Sequence, residues 1–301
     1  MPGIFYQHVN RRNFLANSSK AFAAFAFCTQ VKGFAASPSS SGKEIHLALL
    51  SDTHTPADPL TEYRKFFPSE NLRGIVSQVI ETRPEGVIIN GDAARATGEL
   101  ADYEEFKKLL APLAERTPVY ISLGNHDNRE NFLKVFDKPS GSRQPVTDKH
   151  VLVIEHPVSR FILLDSLLFV NKVAGLLGKA QRDWLGQYLE KSDGRATVLF
   201  VHHTLGEGDG DLLDIERLYR LIQPHKKVKA IFYGHSHEYA FSRQQGVHLV
   251  NIPAVGYNFK DSEPVGWVDA RFSADGADLT LKAFAGNLNG NGKSTSLGWN
   301  S

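Results

Sequence analysis

The sequence contains almost no cysteine. Cys28 is the only one among 301 residues, which excludes an intramolecular disulfide and a zinc cage built from cysteines. Cys28 is also a poor candidate for lipid attachment, because the bulky Phe27 precedes it. A metal site in this chain must therefore use histidine, carboxylate and amide ligands.

A long apolar run and a strong net charge are also missing. The apolar stretch near the N-terminus, residues 21–31, is 11 residues long, whereas a bilayer-spanning helix needs roughly 20. The formal net charge is +1, and residues 1–36 hold four cations and no acid. The rest of the chain has 30 basic and 33 acidic residues. Such a nearly neutral body is not typical of a protein that binds nucleic acid through a large basic surface.

Residues 1–36 have the order of a secretory signal: a charged region, an apolar region and then small residues. The pair Arg11-Arg12, followed by Phe-Leu, resembles the bacterial twin-arginine signal, although Asn10 stands where Ser or Thr is usual. Cleavage after Ala35 fits this pattern. Ordinary secretory export and a structural helix of the mature domain are the alternatives.

These features predict the organisation of the whole chain. Residues 1–36 are expected to be a twin-arginine signal peptide, 37–43 a linker, 44–285 the main folded domain and 286–301 a flexible Gly-, Asn- and Ser-rich tail. The twin-arginine machinery would then be an export partner, and the periplasm of a bacterium the destination. The mature protein is expected to have no stable membrane anchor. The sequence does not indicate an oligomeric state.

The body alternates between apolar strand-like runs and helical patterns. In its first half, strands are expected at 45–50, 86–89 and 119–123, with helices at 71–82 and 103–114, which is the order of parallel βαβ units. The second half adds a helix at 179–191, another ending at Ile222, and strands at 151–154, 161–164, 196–201, 228–233, 247–252, 265–272 and 278–284. The number of expected strands is too large for one compact parallel sheet. The sequence predicts two facing sheets with helices outside.

Five apolar runs lead directly into polar blocks. The blocks are Asp52-Thr53-His54, Gly91-Asp92, Gly124-Asn125-His126-Asp127, His202-His203 and Gly234-His235-Ser236-His237. Ligands of open α/β sheets gather beyond the carboxyl ends of the strands, so these blocks are expected to converge. Residues two apart in an extended segment point the same way, which lets two of the blocks present a pair of ligands each.

The side chains in these blocks suit transition metals. Imidazole, carboxylate and amide oxygen together favour Mn, Fe, Zn, Co or Ni over Ca. The adjacent residues His202 and His203 are expected to contribute one ligand. The blocks then supply seven ligands: Asp52, His54, Asp92, Asn125, one of His202 and His203, His235 and His237.

In this order, the five blocks resemble the calcineurin-like metallophosphoesterase superfamily over residues 45 to about 257. The resemblance implies an α/β fold, a four-layer αββα sandwich of two facing mixed sheets flanked by helices, with a dinuclear metal site at the strand C-terminal ends. It implies one ion on Asp52, His54, Asp92 and His237, and a second on Asp92, Asn125, His202 and His235. Asp92 would bridge the two ions, His202 is preferred over His203, and His126 would lie beside the ions as a catalytic residue.

The resemblance extends to one branch of the superfamily. Residues 124–129, Phe132 and the His202-His203 pair are similar to the branch that includes cyclic-nucleotide and glycerophosphodiester phosphodiesterases. The implied function is hydrolysis of a phosphoester substrate by metal-bound hydroxide, with Asp92 and His126 in the chemistry and a phosphodiester as the expected substrate. A phosphomonoesterase and a non-catalytic metal-dependent binding protein are the alternatives. The loop after Asp92 departs from the pattern, since it carries Arg95 where many members have an acidic residue or Asn.

Several neighbouring residues have less specific interpretations. Asp127 is predicted to cap a helix that begins at Arg129, and Asn90 to bond to backbone. His203 either orients loops or contacts substrate. Arg95 and Arg129 either bind a substrate phosphate or form surface salt bridges. The remaining histidines of the body are expected to be structural: His46, His150, His156, His225 and His248.

Overall fold

The computed structural model describes residues 4–5, 44–136 and 145–300. Within these ranges the first half of the chain forms β1 (Ile4–Phe5), β2 (Glu44–Leu50), α1 (Pro68–Thr82), β3 (Gly86–Asn90), α2 (Leu100–Ala114), β4 (Val119–Ser122) and α3 (Arg129–Val135). The second half forms β5 (Leu152–Glu155), β6 (Ser159–Leu164), α4 (Lys179–Lys191), β7 (Ala196–Val201), α5 (Ile215–Ile222), β8 (Val228–Tyr233), β9 (Ala240–Gln244), β10 (Val247–Asn251), β11 (Pro264–Ser273), β12 (Gly276–Gly286) and β13 (Ser294–Gly298).

The strands form two mixed sheets. The first sheet has the order β1-β4-β3-β2-β11-β12-β13. Its strands from β1 to β2 are parallel, and β11, β12 and β13 continue from β2 as antiparallel neighbours. The second sheet has the order β5-β6-β7-β8-β10-β9. Its central strands β6, β7, β8 and β10 are parallel, with an antiparallel strand at each edge.

Three apolar layers hold the sheets and helices together. The core between the sheets includes Leu49 of β2, Phe200 of β7 and Phe272 of β11, all fully buried. The outer face of the first sheet is covered by α1 and α2, whose apolar stripes bury residues such as Ile75 and Phe106. The outer face of the second sheet is covered in the same way by α4 and α5. The predicted four-layer αββα architecture is confirmed.

The C-terminal segment differs from its sequence-based prediction. Residues 286–301 are rich in Gly, Asn and Ser, and were expected to be flexible. Instead β13 pairs with β12, and Leu297 and Trp299 are buried in the core between the sheets. Two apolar side chains at the end of the chain outweigh a composition that favours disorder, because burying them stabilises the strand.

The predicted signal peptide and linker lie outside the described residues, apart from Ile4 and Phe5. These two residues pair in parallel with Val119 and Tyr120 of β4. None of the helices in the described part of the chain has the length and apolar character required to traverse a bilayer.

Candidate active site

All five polar blocks lie at one edge of the sandwich, directly after β2, β3, β4, β7 and β8. The first sheet supplies the ends of β2, β3 and β4, and the second sheet supplies those of β7 and β8, so the site lies between the two sheets. Carboxylates and histidines fall into three groups whose ligand atoms lie within 4.8 Å of one another: Asp52, His54 and His237; His54, Asp92 and His126; and Asp92, His202 and His235.

The closest contacts join histidines to the two carboxylates. Nε2 of His237 lies 3.4 Å from Oδ1 of Asp52 and 3.0 Å from Nε2 of His54. Oδ2 of Asp92 lies 3.3 Å from Nε2 of His202 and 3.7 Å from Nε2 of His54. One carboxylate oxygen of Asp92 thus stands between histidines of the two predicted ligand sets.

The backbone brings the ligands together by an unexpected route. An extended segment was predicted to aim Asp52 and His54 the same way, but both residues have left-handed φ angles, 53° and 44°. His235 and His237 have the same left-handed conformation, with φ of 69° and 55°, and so does Asp92, with φ of 50°. Left-handed backbone is rare for residues with a Cβ and gathers at functional sites. The pairs converge as predicted, but tight turns rather than extended backbone make them do so.

Glycines allow the blocks to approach one another closely. Gly91 has φ of 85° and precedes Asp92, which extends the left-handed turn over two residues. A Cβ at Gly124 would overlap the Asp92 carboxylate. The amide of His126, two residues later, donates to Oδ1 of Asp92 over 2.9 Å. Gly124 is therefore required so that the third block can lie directly on the second.

Four of the site histidines are oriented by backbone carbonyls. A carbonyl oxygen only accepts hydrogen bonds, so each Nδ1 must carry a proton, which leaves Nε2 as the nitrogen that can bind a metal. The pairs are His54 with Arg95 at 3.3 Å, His126 with Ala96 at 2.7 Å, His202 with Asn90 at 2.9 Å, and His237 with Tyr257 at 2.6 Å. This is the support that metal-binding histidines usually have.

The two buried carboxylates set the electrostatics of the site. Burial favours a raised pKa for Asp52 and for Asp92, but neighbouring histidines outweigh burial and hold both pKa values well below the ordinary value. Burial lowers the pKa of His54 to about 3. Burial also favours a lower pKa for His202, yet Asp92 and then Asp52 outweigh it and raise that pKa to about 10. The carboxylates need positive charge beside them, and a divalent cation supplies more of it than a proton.

The donor atoms fit a divalent transition metal. The side-chain oxygen of Asn125 is buried and has no hydrogen-bond partner among the described residues. A buried polar atom of this kind destabilises the fold unless another group binds it. Nε2 of His202 is likewise buried without a hydrogen-bond partner in the described part of the chain. Both atoms belong to the predicted ligand set, which mixes nitrogen and oxygen donors as such metals prefer. The assignment of all seven residues as ligands stays a prediction.

Asp127 has a different role from the predicted one. The cap of α3 is Asn128, whose side chain accepts from the amides of Glu130 and Asn131. The buried carboxylate of Asp127 instead accepts from four donors: the amides of Ala93, Ala94 and Gly124, and the Tyr103 hydroxyl. It fastens the loop after β3 to the loop after β4. Burial and the nearby Asp92 raise the pKa of Asp127 to about 6.

Three further predictions can be compared with the structure. Asn90 does bond to backbone, donating to the Val201 carbonyl over 3.1 Å. His203 is fully buried, and its Nδ1 lies 2.7 Å from the Ser166 hydroxyl, so it orients the loop after β6. Arg129 forms the salt-bridge alternative rather than an open phosphate site, with contacts of 2.6 and 2.7 Å to Asp165.

The remaining histidines lie apart from the site. None of the five expected to be structural belongs to a ligand group within the described ranges. His46, for example, forms a 2.6 Å contact with Asp269 on β11.

Some site residues escaped the sequence analysis. The Ser51 hydroxyl donates to Asp52 over 2.5 Å, and its position next to the first block was an available signal. The rings of Tyr257 and Phe259 pack on His237 at 4.7 and 4.2 Å. These two aromatics lie beyond the last block, and only the path of the chain after β10 brings them back to the site.

The comparisons with known proteins agree with this geometry. The calcineurin-like phosphoesterase family profile matches residues 45–239. A 3',5'-cyclic adenosine monophosphate phosphodiesterase, CpdA, of Haemophilus influenzae is 29% identical over 256 residues, covering 78% of this chain and 88% of that protein. A probable glycerophosphodiester phosphodiesterase, GpdQ, of Arcobacter nitrofigilis is 30% identical over 198 residues, covering 62% of this chain and 70% of that protein.

The fold is also similar to a solved structure, that of a dimetal phosphatase from Danio rerio. The TM-score is 0.64 with 15% identity, and the match covers 85% of this chain and 99% of the other. The family profile, the named relatives and the clustered histidines and carboxylates point to the same conclusion: the chain belongs to the calcineurin-like phosphoesterase family and is a metal-dependent phosphoric ester hydrolase.

Proposed function

We propose that the protein is a phosphodiesterase that works with two divalent transition-metal ions. The observation that carries the proposal is the position of Asp92, whose Oδ2 lies between His202 of one predicted ligand set and His54 of the other. Asp52, His54, Asp92 and His237 would hold one ion, and Asp92, Asn125, His202 and His235 the other. The mixed donors suit Mn, Fe, Zn, Co or Ni.

The ions and the protein have separate tasks. When bound, two divalent ions lower the pKa of a water to supply the nucleophile and neutralise charge on the phosphoryl oxygens. The protein fixes the ligand geometry through the carbonyls behind the histidines. His126 supplies the proton chemistry: its Nδ1 donates to the Ala96 carbonyl, which leaves Nε2 for the substrate. The doubly protonated ring would give its Nε2 proton to the leaving alkoxide and become neutral.

Two observations favour a diester over a monoester. A monoester carries more negative charge and requires more cations beside the scissile phosphate. Arg129, the arginine that follows the third block, is neutralised by the buried Asp165 and does not supply such a charge. The relatives of H. influenzae and A. nitrofigilis are both named phosphodiesterases.

Two p-nitrophenyl substrates test the proposal. Purified protein is loaded with each candidate metal, its metal content is determined by elemental analysis, and turnover of bis(p-nitrophenyl) phosphate is compared with that of p-nitrophenyl phosphate. We expect about two ions per chain and a higher kcat/KM for the diester. Preference for the monoester would identify a phosphomonoesterase, and metal binding without turnover of either would favour a binding protein.

His126 provides a second test, on the proton chemistry. His126→Ala should reduce kcat for an unactivated diester by roughly 10²–10⁴, the usual contribution of a general acid, and by less for bis(p-nitrophenyl) phosphate, whose leaving group needs no proton. Metal content should stay unchanged. Full activity with the unactivated diester would exclude the role, and loss of an ion would make His126 a ligand instead.

Export is the second part of the proposal. The Arg11-Arg12 pair supports twin-arginine transport to the periplasm, a route that would let the enzyme bind its metals before it leaves the cytoplasm. Cleavage after Ala35 would remove β1 and leave β4 at the edge of the first sheet. Residues 1–40, fused to a reporter that must be folded for export, should direct transport. If transport survives Arg11→Lys with Arg12→Lys, the signal is of another kind.

A further inference from the structure

A row of aromatic rings leads outward from the predicted metal ligands. The Phe259 ring stacks on His237 with a centroid distance of 4.2 Å, and the Tyr257 ring lies 4.8 Å from His54. Tyr63 follows, with its ring 4.6 Å from that of Tyr257. Tyr63 and Phe259 are 40% and 45% exposed. These three aromatic residues form a rim that begins at the ligands and ends in solvent.

The rim is completed by a strained turn. The amide of Tyr63 donates to the Phe66 carbonyl over 2.8 Å and the amide of Phe66 donates back over 2.9 Å, so Arg64 and Lys65 form a two-residue hairpin tip. Their φ angles are 50° and 68°. Asn and Gly are the usual residues at such a tip, because left-handed backbone is unfavourable for a residue with a long side chain. The chain keeps two cationic residues there despite the strain, and strain of this kind gathers at functional sites.

Two guanidinium groups lie on this rim. Arg64 Cζ is 4.9 Å from the Phe259 ring centroid and 5.9 Å from that of Tyr63, and Arg95 Cζ is 5.8 Å from the same Tyr63 ring. Within the described residues neither side chain forms a salt bridge, although both are exposed. Arg129, by contrast, is neutralised by Asp165. The rim therefore has two like charges beside one ring, and neither is in a salt bridge with a carboxylate of the described residues.

We propose that Arg64 and Arg95 bind a second phosphate, carried by the organic part of the substrate, while the scissile diester lies on the metal ligands. The inference rests on the proposed phosphodiesterase function and narrows its substrates to diesters that carry another phosphate. The guanidinium fork matches phosphate geometry. Arg64 contacts Phe259, the ring that stacks on His237. Both guanidiniums contact Tyr63, so the rim is where both can contact a group beyond the scissile phosphate.

A matched pair of nucleotides tests the second phosphate without turnover. Calorimetry on the metal-loaded protein compares thymidine 5'-phosphate with thymidine 3',5'-bisphosphate, which share base, sugar and 5'-phosphate. We expect the bisphosphate to bind about tenfold more tightly, in line with hydrogen bonds to a charged group, and the difference to shrink with added salt. Arg64→Gln and Arg95→Gln should each reduce the ratio of affinities, and together bring it close to one.

Kinetics on the corresponding p-nitrophenyl esters give the second readout. The p-nitrophenyl ester of thymidine 5'-phosphate, with and without a 3'-phosphate, should show the same preference in kcat/KM, mainly through KM. Arg116→Gln is the matched control, because Arg116 is an exposed arginine that precedes β4, at the end of that strand opposite to the site, and it should keep the wild-type ratio.

The outcomes separate this inference from the proposed function. Hydrolysis of both esters without preference, together with equal binding of the two nucleotides, would overturn the second phosphate site and leave the phosphodiesterase proposal intact. Equal losses on both esters in the arginine variants would also overturn it, since the arginines would then act on the scissile phosphate. A binding preference without hydrolysis of any diester would support the phosphate site and refute the phosphodiesterase proposal.

Discussion

The two halves of the first sheet differ in what their strand ends carry. In the parallel half, β2, β3 and β4 all end at the same edge, and each is followed by a block that contains predicted ligands. In the antiparallel half, β11, β12 and β13 alternate in direction and are joined partly by a short hairpin turn at Ser273–Gly276. The ends of parallel strands gather, and those of antiparallel strands alternate between opposite edges.

This difference separates function from stability within one sheet. The parallel half places four predicted ligands in buried turns. Three of them, Asp52, His54 and Asp92, have left-handed backbone, a conformation that contributes nothing to stability by itself. The antiparallel half supplies apolar side chains to the core between the sheets, among them Phe272, Leu279 and Trp299. The segment before β11 reaches the site, where Val255 and Gly256 donate to the carbonyls of Ser51 and Asp52. The rings of Tyr257 and Phe259 in the same segment pack on His237.

The largest effect on metal binding and activity is expected from Asp92→Asn in the parallel half. Asp92 belongs to two of the three ligand groups, so both ions should bind less tightly. Since metal ions stabilise the transition state by several kcal/mol, kcat/KM should fall by about 10³ or more. Elemental analysis and diester turnover measure both effects. His235→Ala, which alters one group, should lose mainly one ion.

The control for Asp92→Asn comes from the antiparallel half. Asp269→Asn removes a carboxylate of the same sheet that pairs with His46 and belongs to none of the three ligand groups. It should leave metal content unchanged. If both variants reduced metal content equally, the separation between the two halves would be false.

The sequence carried enough information to predict the parallel half and its site. Strands alternate with helices there, and the order of the βαβ units brings the ends of β2, β3 and β4 together. Spacing alone did not give the backbone conformation of Asp52 and His54, because left-handed turns at these residues depend on the hydrogen bonds between neighbouring blocks. His54, for instance, donates its amide to the Asp92 carbonyl.

The predictions for Asp127 and for the C-terminal tail differ from the structure for the same physical reason, which is contact between segments distant in sequence. Asp127 has the position of a helix cap, but its partners Ala93, Ala94 and Tyr103 come from elsewhere in the chain, and they were not visible in the local pattern. The C-terminal tail has the composition of a flexible segment, while the burial of Trp299 depends on the facing sheet. Local signals were sufficient for strands and helices, and insufficient wherever tertiary contacts override composition.

A second prediction concerns the antiparallel half. Trp299 is 6% exposed within the core between the sheets, and Trp299→Ala should reduce the free energy of unfolding by about 3–5 kcal/mol, as large-to-small core substitutions do. Trp184 on α4 is only partly buried, so Trp184→Ala serves as the control with a smaller loss. Denaturant unfolding measures both. Below its melting temperature the Trp299 variant should keep its metal content, and an equal or larger loss in the Trp184 variant would mean that the tail is not part of the core.

The smallest effect is expected from Tyr103→Phe, which removes a hydroxyl that links two segments of the parallel half. The Tyr103 hydroxyl donates to Asp127 over 3.0 Å and accepts from the amide of Asn128 over 2.7 Å, so it joins α2 to the loop after β4. Tyr103→Phe leaves the buried Asp127 carboxylate and the Asn128 amide without this hydroxyl, and should reduce the free energy of unfolding by about 1–3 kcal/mol.

Tyr239→Phe is the matched control for the Tyr103 variant. Tyr239 is partly buried and its hydroxyl has no hydrogen-bond partner among the described residues, so removing that oxygen should be neutral or slightly stabilising. Because Asp127 positions the loops that carry Asp92 and Asn125, Tyr103→Phe should also weaken metal binding, by up to about tenfold, at the lower end of what loss of a supporting group costs. Metal titration of the two variants decides this. If the Tyr103 variant is less stable but binds metal as tightly as the wild type, the Tyr103 hydroxyl stabilises the fold without supporting the metal site. If the Tyr239 variant loses as much stability and metal affinity as the Tyr103 variant, the hydrogen bonds of the Tyr103 hydroxyl are not the cause of the losses.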